Sequence, residues 1–384
     1  MRSSSFLRDR RVLDLRHPDR HRCVPRLTRG HDALEAFSEG DLLYAAMLAS
    51  IAGARRRLSL ESYIFADDEI GWRFAEALAQ RAREGVEVRL HLDAAGWLVW
   101  GSTRLARFLR ASPIRVRWFH RWSWREPLRY NRRNHRKLLV ADGACAYVGG
   151  FNIHRESSAE AFGEQRWRDS HVRMQGAPAL QAQHLFDAFW AGRSRWSPEY
   201  PATSSTALIP TPSRGCRNRM RRVYVKLIGD AQRVIRVTTP YFVPDHPMQR
   251  ALVAAAARGV EVYVLVPAKG DVALAAWAAR ASYAGLLADG VRIFEYQPRM
   301  LHAKILQADE SWVAVGTANL DYRSLLLNHE LTVLTRDTGL CAALYRQFEE
   351  NLGAAREVTL SHWRHRAWNR RPAEWVGWAA RRWL

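Results

Sequence analysis

Cysteine is scarce in this sequence. Its 384 residues include four cysteines, which are scattered and form no C-x-x-C pair: Cys23, Cys145, Cys216 and Cys341. This distribution argues against a small disulfide-bonded domain and a cysteine-based zinc site, and it fits a reducing compartment.

Long apolar runs are also missing. No stretch approaches the roughly 18–20 apolar residues of a membrane-spanning helix, and residues 1–20 lack the apolar region of a secretory signal peptide. If the protein meets a bilayer, we therefore expect it to lie on the surface.

Lysine is scarce although the chain is strongly basic. Only four of the 59 basic residues are lysines, against 38 acidic residues and a formal net charge of +21. A chain that uses arginine so freely is expected to keep lysine where a compact ammonium group is needed. The positive charge favours an anionic partner, either nucleic acid or acidic lipid, and does not indicate the fold.

The length and composition predict two globular domains. The chain is too long for one ordinary core, and 48% hydrophobic with 25% charged residues is typical of a folded protein. A stretch rich in proline, serine and threonine supplies the boundary. The expected segments are a basic arm at 1–30, a first domain at 31–195, a linker at 196–215, a second domain at 216–352 and a C-terminal segment at 353–384.

Both halves show the same alternation of helix and strand. In the first half, Asp41 is expected to cap one helix and Asp68 a second, which ends at Gly85 before a strand. The second half repeats this order, and the tetrapeptide GVEV occurs at 85–88 and again at 259–262. We interpret this similarity as a duplication with pseudo-two-fold symmetry.

A longer motif occurs once in each half. Residues 135–152 read HRKLLVADGACAYVGGFN and residues 302–319 read HAKILQADESWVAVGTAN, so both follow H-x-K-x4-D-x6-G-[GT]-x-N. One copy should arise by chance less than about once in a million starting points. Two of the four lysines, Lys137 and Lys304, lie in the motif, which indicates that lysine is required there.

The spacing of the first copy predicts a hairpin that presents three polar groups on one edge. His135 and Lys137 are two residues apart on a strand and therefore project from the same face. Asp142 and Gly143 form a favoured hairpin turn, and the return strand brings Asn152 back towards the histidine.

The second copy arranges His302, Lys304, Asp309 and Asn319 in the same way, and the set suits a phosphodiester. Lysine and asparagine can donate hydrogen bonds to the non-bridging oxygens. A neutral imidazole can attack phosphorus, while a protonated one can give a proton to the leaving alkoxide. Two facing motifs can divide these tasks without a metal or a cofactor. The motif groups Asp142 and Asp309 with the catalytic residues His135, Lys137, His302 and Lys304, but their positions at the turns favour a structural role.

The sequence resembles the phospholipase D superfamily, and within it the bacterial cardiolipin synthases. Besides the paired motifs, the stretches that carry the resemblance are LESYIFADD at 60–68, WRDSHV at 167–172, TPYFVPD at 239–245 and NLDYRSLLLNHEL at 319–331. The similarity runs from about residue 34 to residue 350, and the chain looks most like the B type of synthase. It implies an α/β fold of two domains, each a mixed sheet flanked by helices, with the active site at their interface.

The resemblance also implies roles for individual residues. It makes His135 the nucleophile and His302 the general acid and later the base, with Asn152 and Asn319 as phosphate ligands. In this family an acidic residue orients the histidine of the opposite half, which assigns Glu330 to His135 and Asp169 to His302. Thr317 replaces the commoner serine of the second motif.

The implied reaction transfers a phosphatidyl group from phosphatidylglycerol to a second phosphatidylglycerol, through a phosphatidyl-histidine, and gives cardiolipin and glycerol. The implied location is the cytoplasmic side of the bacterial inner membrane, with anionic phospholipids as partners and no nucleic acid. Two alternatives remain open, a phosphodiesterase acting on lipid or nucleic acid and a non-enzymatic binder of anionic lipid. The sequence carries no signal for the oligomeric state.

The C-terminal residues supply an argument for lipid. Residues 361–384 contain five tryptophans, six arginines and one acidic residue, which is typical of an amphipathic segment at a membrane interface. Pro372 should divide it into two short helices. The alternative is that these tryptophans fill the core of the domain.

Overall fold

The structure is a computed structural model that describes residue 27 and residues 33–120, 122, 124–125, 130–193, 204–366 and 371–381. Of the predicted arm at 1–30, only Leu27 is among the described residues, and it is buried in the second half. In the predicted linker at 196–215, residues 196–203 lie outside the described residues. Thr206–Pro210 already forms a strand of the second sheet, so the second half begins before residue 216.

The first half is a seven-stranded mixed sheet. Its strands are β1 (Leu34–Phe37), β2 (Arg57–Ser62), β3 (Glu87–Asp93), β4 (Arg115–Phe119), β5 (Leu138–Ala141), β6 (Cys145–Gly149) and β7 (His171–Gln175). The order across the sheet is β1-β7-β6-β5-β2-β3-β4, in which β2, β3 and β4 are parallel. Its helices are α1 (Gly40–Gly53), α2 (Glu69–Arg83), α3 (Ala94–Trp100), α4 (Thr103–Ala111), α5 (Ala159–Phe162) and α6 (Ala177–Trp190).

The second half repeats this plan with eight strands. They are β8 (Thr206–Pro210), β9 (Val234–Thr238), β10 (Glu261–Pro267), β11 (Arg292–Tyr296), β12 (Ile305–Ala308), β13 (Trp312–Gly316), β14 (Leu331–Thr335) and β15 (Ala355–Val358). The order is β15-β11-β10-β9-β12-β13-β14-β8, with β9, β10 and β11 parallel. The helices are α7 (Arg214–Asp230), α8 (His246–Ala257), α9 (Ala273–Ala288), α10 (Tyr322–Leu326), α11 (Thr338–Gly353), α12 (Leu360–Arg364) and α13 (Arg371–Ala380).

The predicted duplication and fold class are therefore confirmed. Each motif forms an antiparallel hairpin, β5–β6 or β12–β13, next to a parallel pair, β2–β3 or β9–β10. In both hairpins the first turn residue, Asp142 or Asp309, has a φ of 53°. This left-handed conformation is one that aspartate tolerates better than most residues.

Of the two predicted helix caps, one is confirmed and one is wrong. The carboxylate of Asp68 accepts a hydrogen bond from the Gly71 backbone N–H at 2.9 Å and caps α2. Helix α1 instead begins at Gly40, and Asp41 in its first turn accepts from the Ala159 backbone N–H at 2.7 Å. Asp41 therefore contacts the first residues of the neighbouring helix α5, whose own N-cap is Ser158.

The two halves share a hydrophobic core. One apolar cluster lies in each half, and a third joins side chains of both sheets, including Leu138 and Val140 from the first and Leu331 and Val333 from the second. Burial of each such side chain stabilises the folded state by about 1.5–3 kcal/mol. The interface between the halves is therefore packed like a domain interior, which fixes the two motifs relative to each other.

The C-terminal segment forms two short helices, α12 and α13, as predicted, with Pro372 in the first turn of α13. Trp363 is buried against the ring of Tyr283, so for this residue the alternative of a core tryptophan is correct. Trp375 and Trp378 on α13 are 71% and 48% exposed. In the described part of the chain, no helix is both long and apolar enough to span a membrane.

Candidate active site

The first motif begins at the edge of the sheet where the parallel strands β2 and β3 end. His135 and Lys137 lie in the segment just before β5, and not within a strand as the spacing predicts. The residue between them, Arg136, is buried and pairs with Glu61 at 2.9 Å. In the second motif the corresponding residue is Ala303, so this buried ion pair belongs to the first half alone.

Backbone hydrogen bonds join each motif to the opposite half. The N–H of His135 donates to the carbonyl of His329 at 2.9 Å, and the N–H of His329 donates to the carbonyl of Arg133 at 2.9 Å. In the same way the N–H of His302 donates to the carbonyl of Arg168 at 2.7 Å. These short parallel bridges place each histidine next to the segment that carries a carboxylate of the other half.

Each imidazole then contacts that carboxylate. The Nδ1 atom of His135 lies 3.0 Å from Glu330 Oε2, and the Nδ1 atom of His302 lies 2.5 Å from Asp169 Oδ2. Both carboxylates are buried. A carboxylate at Nδ1 favours the tautomer with a proton on that nitrogen, which leaves the Nε2 lone pair of His135 available.

The residues behind the two carboxylates differ between the halves. The hydroxyl of Thr317 donates to Glu330. The matching position in the first motif is Gly150, where an added Cβ would lie 2.0 Å from the carboxylate of Asp169. The longer glutamate is therefore held by a threonine and the shorter aspartate needs a glycine, which explains why the motif reads G-[GT].

The two lysines lie beside their histidines. Lys137 Nζ donates to the carbonyl of His135 at 2.9 Å. Lys304 Nζ lies 2.7 Å from His302 Nδ1 and 3.6 Å from Asp169 Oδ2. Burial, followed by the charge of Lys304, lowers the pKa of Lys137, which indicates that the two ammonium groups lie close enough to interact. The motifs of the two halves thus belong to one electrostatic site.

Burial sets the protonation states of this site. It lowers the pKa of His302 to about 4, with a further contribution from Lys304, and it also lowers the pKa of His135. Burial lowers the pKa of Lys137 to about 7 and that of Lys304 to about 8. Without a bound anion, both imidazoles are therefore neutral at pH 7, and the ammonium groups lose protons easily.

The two asparagines are buried near their histidines but differ in their contacts. The Oδ1 atom of Asn152 accepts from the Ile64 backbone N–H at 3.2 Å, which fixes the amide and leaves its NH2 group as a donor. The NH2 group of Asn319 donates to Asp321 at 3.2 Å, and its Oδ1 atom has no hydrogen-bond partner among the described residues.

Asp142 and Asp309, which are part of the motif, lie at the opposite ends of the hairpins from the histidines. The carboxylate of Asp142 accepts from the backbone N–H groups of Arg55, Arg56 and Arg57, each at 2.8 Å. Asp309 accepts from three N–H groups of residues 232–234. These contacts support the structural role and oppose the grouping of either residue with the catalytic set.

Aromatic residues that the motif did not predict flank the histidines. The ring of Tyr63 lies edge-on to His135 with centroids 5.2 Å apart, and the ring of Trp167 lies 5.0 Å from His302. Both aromatic residues fall within stretches that carry the family resemblance, which was the available signal. Their positions indicate that they line the cleft in front of the imidazoles.

A tyrosine–aspartate pair also lies at this cleft. The hydroxyl of Tyr241 donates to Asp271 at 2.7 Å, and the exposed carboxylate of Asp271 acts to raise the pKa of both His302 and Lys304. Tyr241 lies in the resemblance stretch at 239–245, whereas Asp271 follows β10 without any local signal. No group of three or more His, Cys, Asp or Glu among the described residues could hold a metal ion.

Comparisons with known proteins identify the family of the chain. A family model described as "Cardiolipin synthase, PLD-like domain" matches residues 47–190 and 224–352. The chain belongs to this family. It is therefore a phosphatidyltransferase of the phospholipase D superfamily, and the resemblance seen in the motifs is confirmed.

Individual relatives extend over most of the chain. The chain is 32% identical over 349 residues to the cardiolipin synthase of Clostridium perfringens (strain SM101 / Type A), covering 87% of this chain and 73% of that protein. It is 32% identical over 352 residues to the major cardiolipin synthase ClsA of Bacillus subtilis (strain 168), covering 87% and 72%.

Solved structures show the same fold at low identity. Phosphatidylserine synthase from Haemophilus influenzae Rd KW20 matches with a TM-score of 0.73 and 14% identity, covering 95% of this chain and 100% of that one. Polyphosphate kinase from Porphyromonas gingivalis matches with a TM-score of 0.59 and 15% identity, covering 87% and 49%. At these identities the likeness concerns the fold alone.

The lowered pKa values predict proton uptake when an anion binds. At pH 7.5 a tungstate dianion between the lysines should raise the pKa of Lys137 and Lys304, so that binding takes up about one proton. Calorimetry in buffers with different ionisation enthalpies measures this number. A binding enthalpy that does not depend on the buffer, or a release of protons, would contradict the assigned protonation states.

Proposed function

We propose that this enzyme makes cardiolipin by transferring a phosphatidyl group from one phosphatidylglycerol to another. The observation that carries the proposal is the reciprocal contact of each motif histidine with a buried carboxylate of the opposite half. It supports two imidazoles with available Nε2 atoms, as two-step phosphodiester exchange requires. The names of the relatives support lipid as the substrate.

In the first step, His135 Nε2 attacks the phosphorus of phosphatidylglycerol. A phosphorus–nitrogen bond forms, the bond from phosphorus to the glycerol oxygen breaks, and His302 gives its Nε2 proton to that oxygen. Lys137, Lys304 and the amide of Asn152 hold the non-bridging oxygens, and their charge offsets the charge that develops in the transition state. Glycerol then leaves.

In the second step, His302 accepts the proton of a terminal hydroxyl on a second phosphatidylglycerol. The deprotonated oxygen attacks phosphorus, the bond to His135 breaks, and cardiolipin forms. Asn319 is expected to bind phosphate through its NH2 group only after that group leaves Asp321.

The role of His302 as an acid requires a change of its pKa during the cycle. In the free site burial lowers that pKa to about 4, so the imidazole is neutral. A bound phosphodiester adds a negative charge beside the ring and favours the protonated form, which Asp169 also stabilises. The bound substrate therefore favours the protonated form of His302 that acts as the acid. In the empty site the buried imidazole is neutral.

Trapping of the intermediate tests the two histidine roles. In His302→Ala the first step has no acid and the second has no base, so turnover should fall by about a thousandfold or more, while a phosphatidyl adduct accumulates on His135. Intact-protein and peptide mass spectrometry identify the adduct. His135→Ala, as the matched control, should form none.

The outcome that would reverse the assignment is an adduct on His302. Full transferase activity of His135→Ala would exclude the mechanism altogether. Parallel assays with phosphatidylglycerol vesicles and single-stranded DNA separate the transferase from a nuclease, and binding to vesicles without any product would favour the non-enzymatic lipid binder.

We further infer that the enzyme binds the membrane from its surface with the cleft facing the lipid. Helices α3 and α9 follow the parallel strands β3 and β10, so both lie at the sheet edges that carry the histidines. Leu98 and Val99 on α3 are 77% and 75% exposed, and α13, which carries exposed Trp375 and Trp378, packs on α9. Exposed apolar groups at one edge are typical of interfacial binding. The free cysteines are consistent with the cytoplasmic side.

Removal of the exposed tryptophans tests this surface. The variant Trp375→Ser with Trp378→Ser should bind vesicles rich in phosphatidylglycerol about tenfold more weakly. Leu180→Ser is a matched control, because Leu180 is also exposed but lies against the Asp142–Gly143 turn, at the far end of the hairpin from His135. Equal flotation of both variants with vesicles would remove α13 from the binding surface.

A further inference from the structure

A buried arginine with no counter-ion among the described residues lies near the catalytic residues. Arg217, close to the N-terminus of α7, is only 5% exposed, and its Nε atom has no hydrogen-bond partner in the part of the chain that the structure describes. Among the described residues, the ionisable groups that act on it are Arg132, Arg214 and the thiol of Cys216, none of which is a carboxylate. A buried guanidinium is costly unless it is paired, so this arrangement indicates a missing anion.

The surroundings of Arg217 form a site with a base and a rim. Arg132 and Arg214 are exposed and make no ion pair within the described part of the chain, so they lie at the rim while Arg217 forms the base. Helix α7 is 17 residues long and begins beside this cluster. Ser213 caps the Cys216 N–H, and the helix dipole favours an anion beside the remaining N–H groups of the first turn.

The lowered pKa of His329 indicates the same uncompensated positive charge. Its ring is buried, its Nδ1 atom has no partner, and burial followed by the charges of Arg217, Arg136, His120 and Arg132 lowers its pKa to about 3. Arg136 is neutralised by its own ion pair. Arg217 and Arg132 have no such ion pair within the described part of the chain.

This cluster is directly connected to the catalytic segment. Arg132 lies three residues before His135, and His329 bonds through its backbone to both Arg133 and His135. The residue after His329 is Glu330, which contacts the imidazole of His135. Cardiolipin contains two phosphates joined by one glycerol. The phosphate of the acceptor lipid must therefore lie close to the reacting phosphorus.

We propose that Arg217, with Arg132 and Arg214, binds the phosphate group of the acceptor phospholipid. The assignment rests on the proposed function and adds the subsite that selects a phospholipid as acceptor over a simple alcohol. The planar guanidinium of a buried arginine can donate two parallel hydrogen bonds to phosphate oxygens. The donor phosphate is bound by the histidines and lysines and does not need this site.

Two acceptors that use the same donor chemistry test the subsite. With phosphatidylglycerol vesicles, cardiolipin formation requires an acceptor phosphate, whereas incorporation of labelled glycerol into phosphatidylglycerol does not. Arg217→Gln should lower cardiolipin formation by about tenfold and leave glycerol exchange within about twofold of wild type. Because replacement of a buried residue can impair folding, Arg132→Gln with Arg214→Gln, both at the exposed rim, should show the same selective loss.

The control is Arg222→Gln, which removes an exposed arginine from the same helix and should change neither product. If Arg217→Gln and the rim variant lower both products in parallel, or lower neither, the subsite is wrong. Inhibition by millimolar inorganic phosphate distinguishes a subsite that binds free phosphate from one that binds only a lipid headgroup. If phosphate inhibits cardiolipin formation alone, the subsite also accepts free phosphate, and without inhibition the subsite takes the lipid headgroup.

Failure of the proposed function gives a different result. If wild type forms neither cardiolipin nor exchanged glycerol, the proposed function fails and the acceptor role fails with it. The anion site is then judged by thermal unfolding in inorganic phosphate. A rise in Tm that Arg217→Gln loses and Arg222→Gln keeps supports the site, and equal shifts in both variants refute it.

Discussion

The arrangement depends on one reciprocal interaction, in which a buried carboxylate of each half contacts the histidine of the other half. Glu330 holds His135 and Asp169 holds His302, and backbone bonds beside each pair keep the segments in register. Neither half alone supplies both a motif histidine and the carboxylate that contacts it. The duplication therefore produces a site only when the two halves pack together, which the shared apolar core ensures.

The electrostatics of the site follow from its burial. Two lysines, two histidines and two carboxylates lie together with little access to water, and burial shifts every cation towards its neutral form. A phosphodiester supplies the negative charge that this set needs. In the proposed mechanism, binding and activation are coupled, because the same anion restores the charge of Lys137 and Lys304 and prepares His302 to give a proton.

Much of this fold and site could be predicted from the sequence, because many of their features depend on short residue patterns. The hairpin turn at Asp142, the cap at Asp68 and the repeated order of elements depend on residues close together in the chain. The cap at Asp41 could not be predicted correctly, since it depends on how α1 packs against α5. Asp271 and Arg217 carry no local signal either, and their importance follows only from which distant groups surround them.

The C-terminal segment is a second case in which the sequence could not predict the environment of individual residues. Its composition predicted two helices, which are α12 and α13 in the structure, and an interfacial face, which stays a prediction. Composition could not separate Trp375 and Trp378 from Trp363, which packs on Tyr283 in the core. The structure distinguishes them, because Trp375 and Trp378 on α13 are exposed whereas Trp363 on α12 is buried.

The central claim is that two imidazoles, one from each half, act on a single phosphorus atom. A crystal structure with tungstate, which imitates a phosphate, measures this directly. The account predicts one tungsten atom between His135 Nε2 and His302 Nε2, within bonding or hydrogen-bonding distance of both. Two tungstates in separate cavities, or one held by a single histidine with the other turned away, would contradict it.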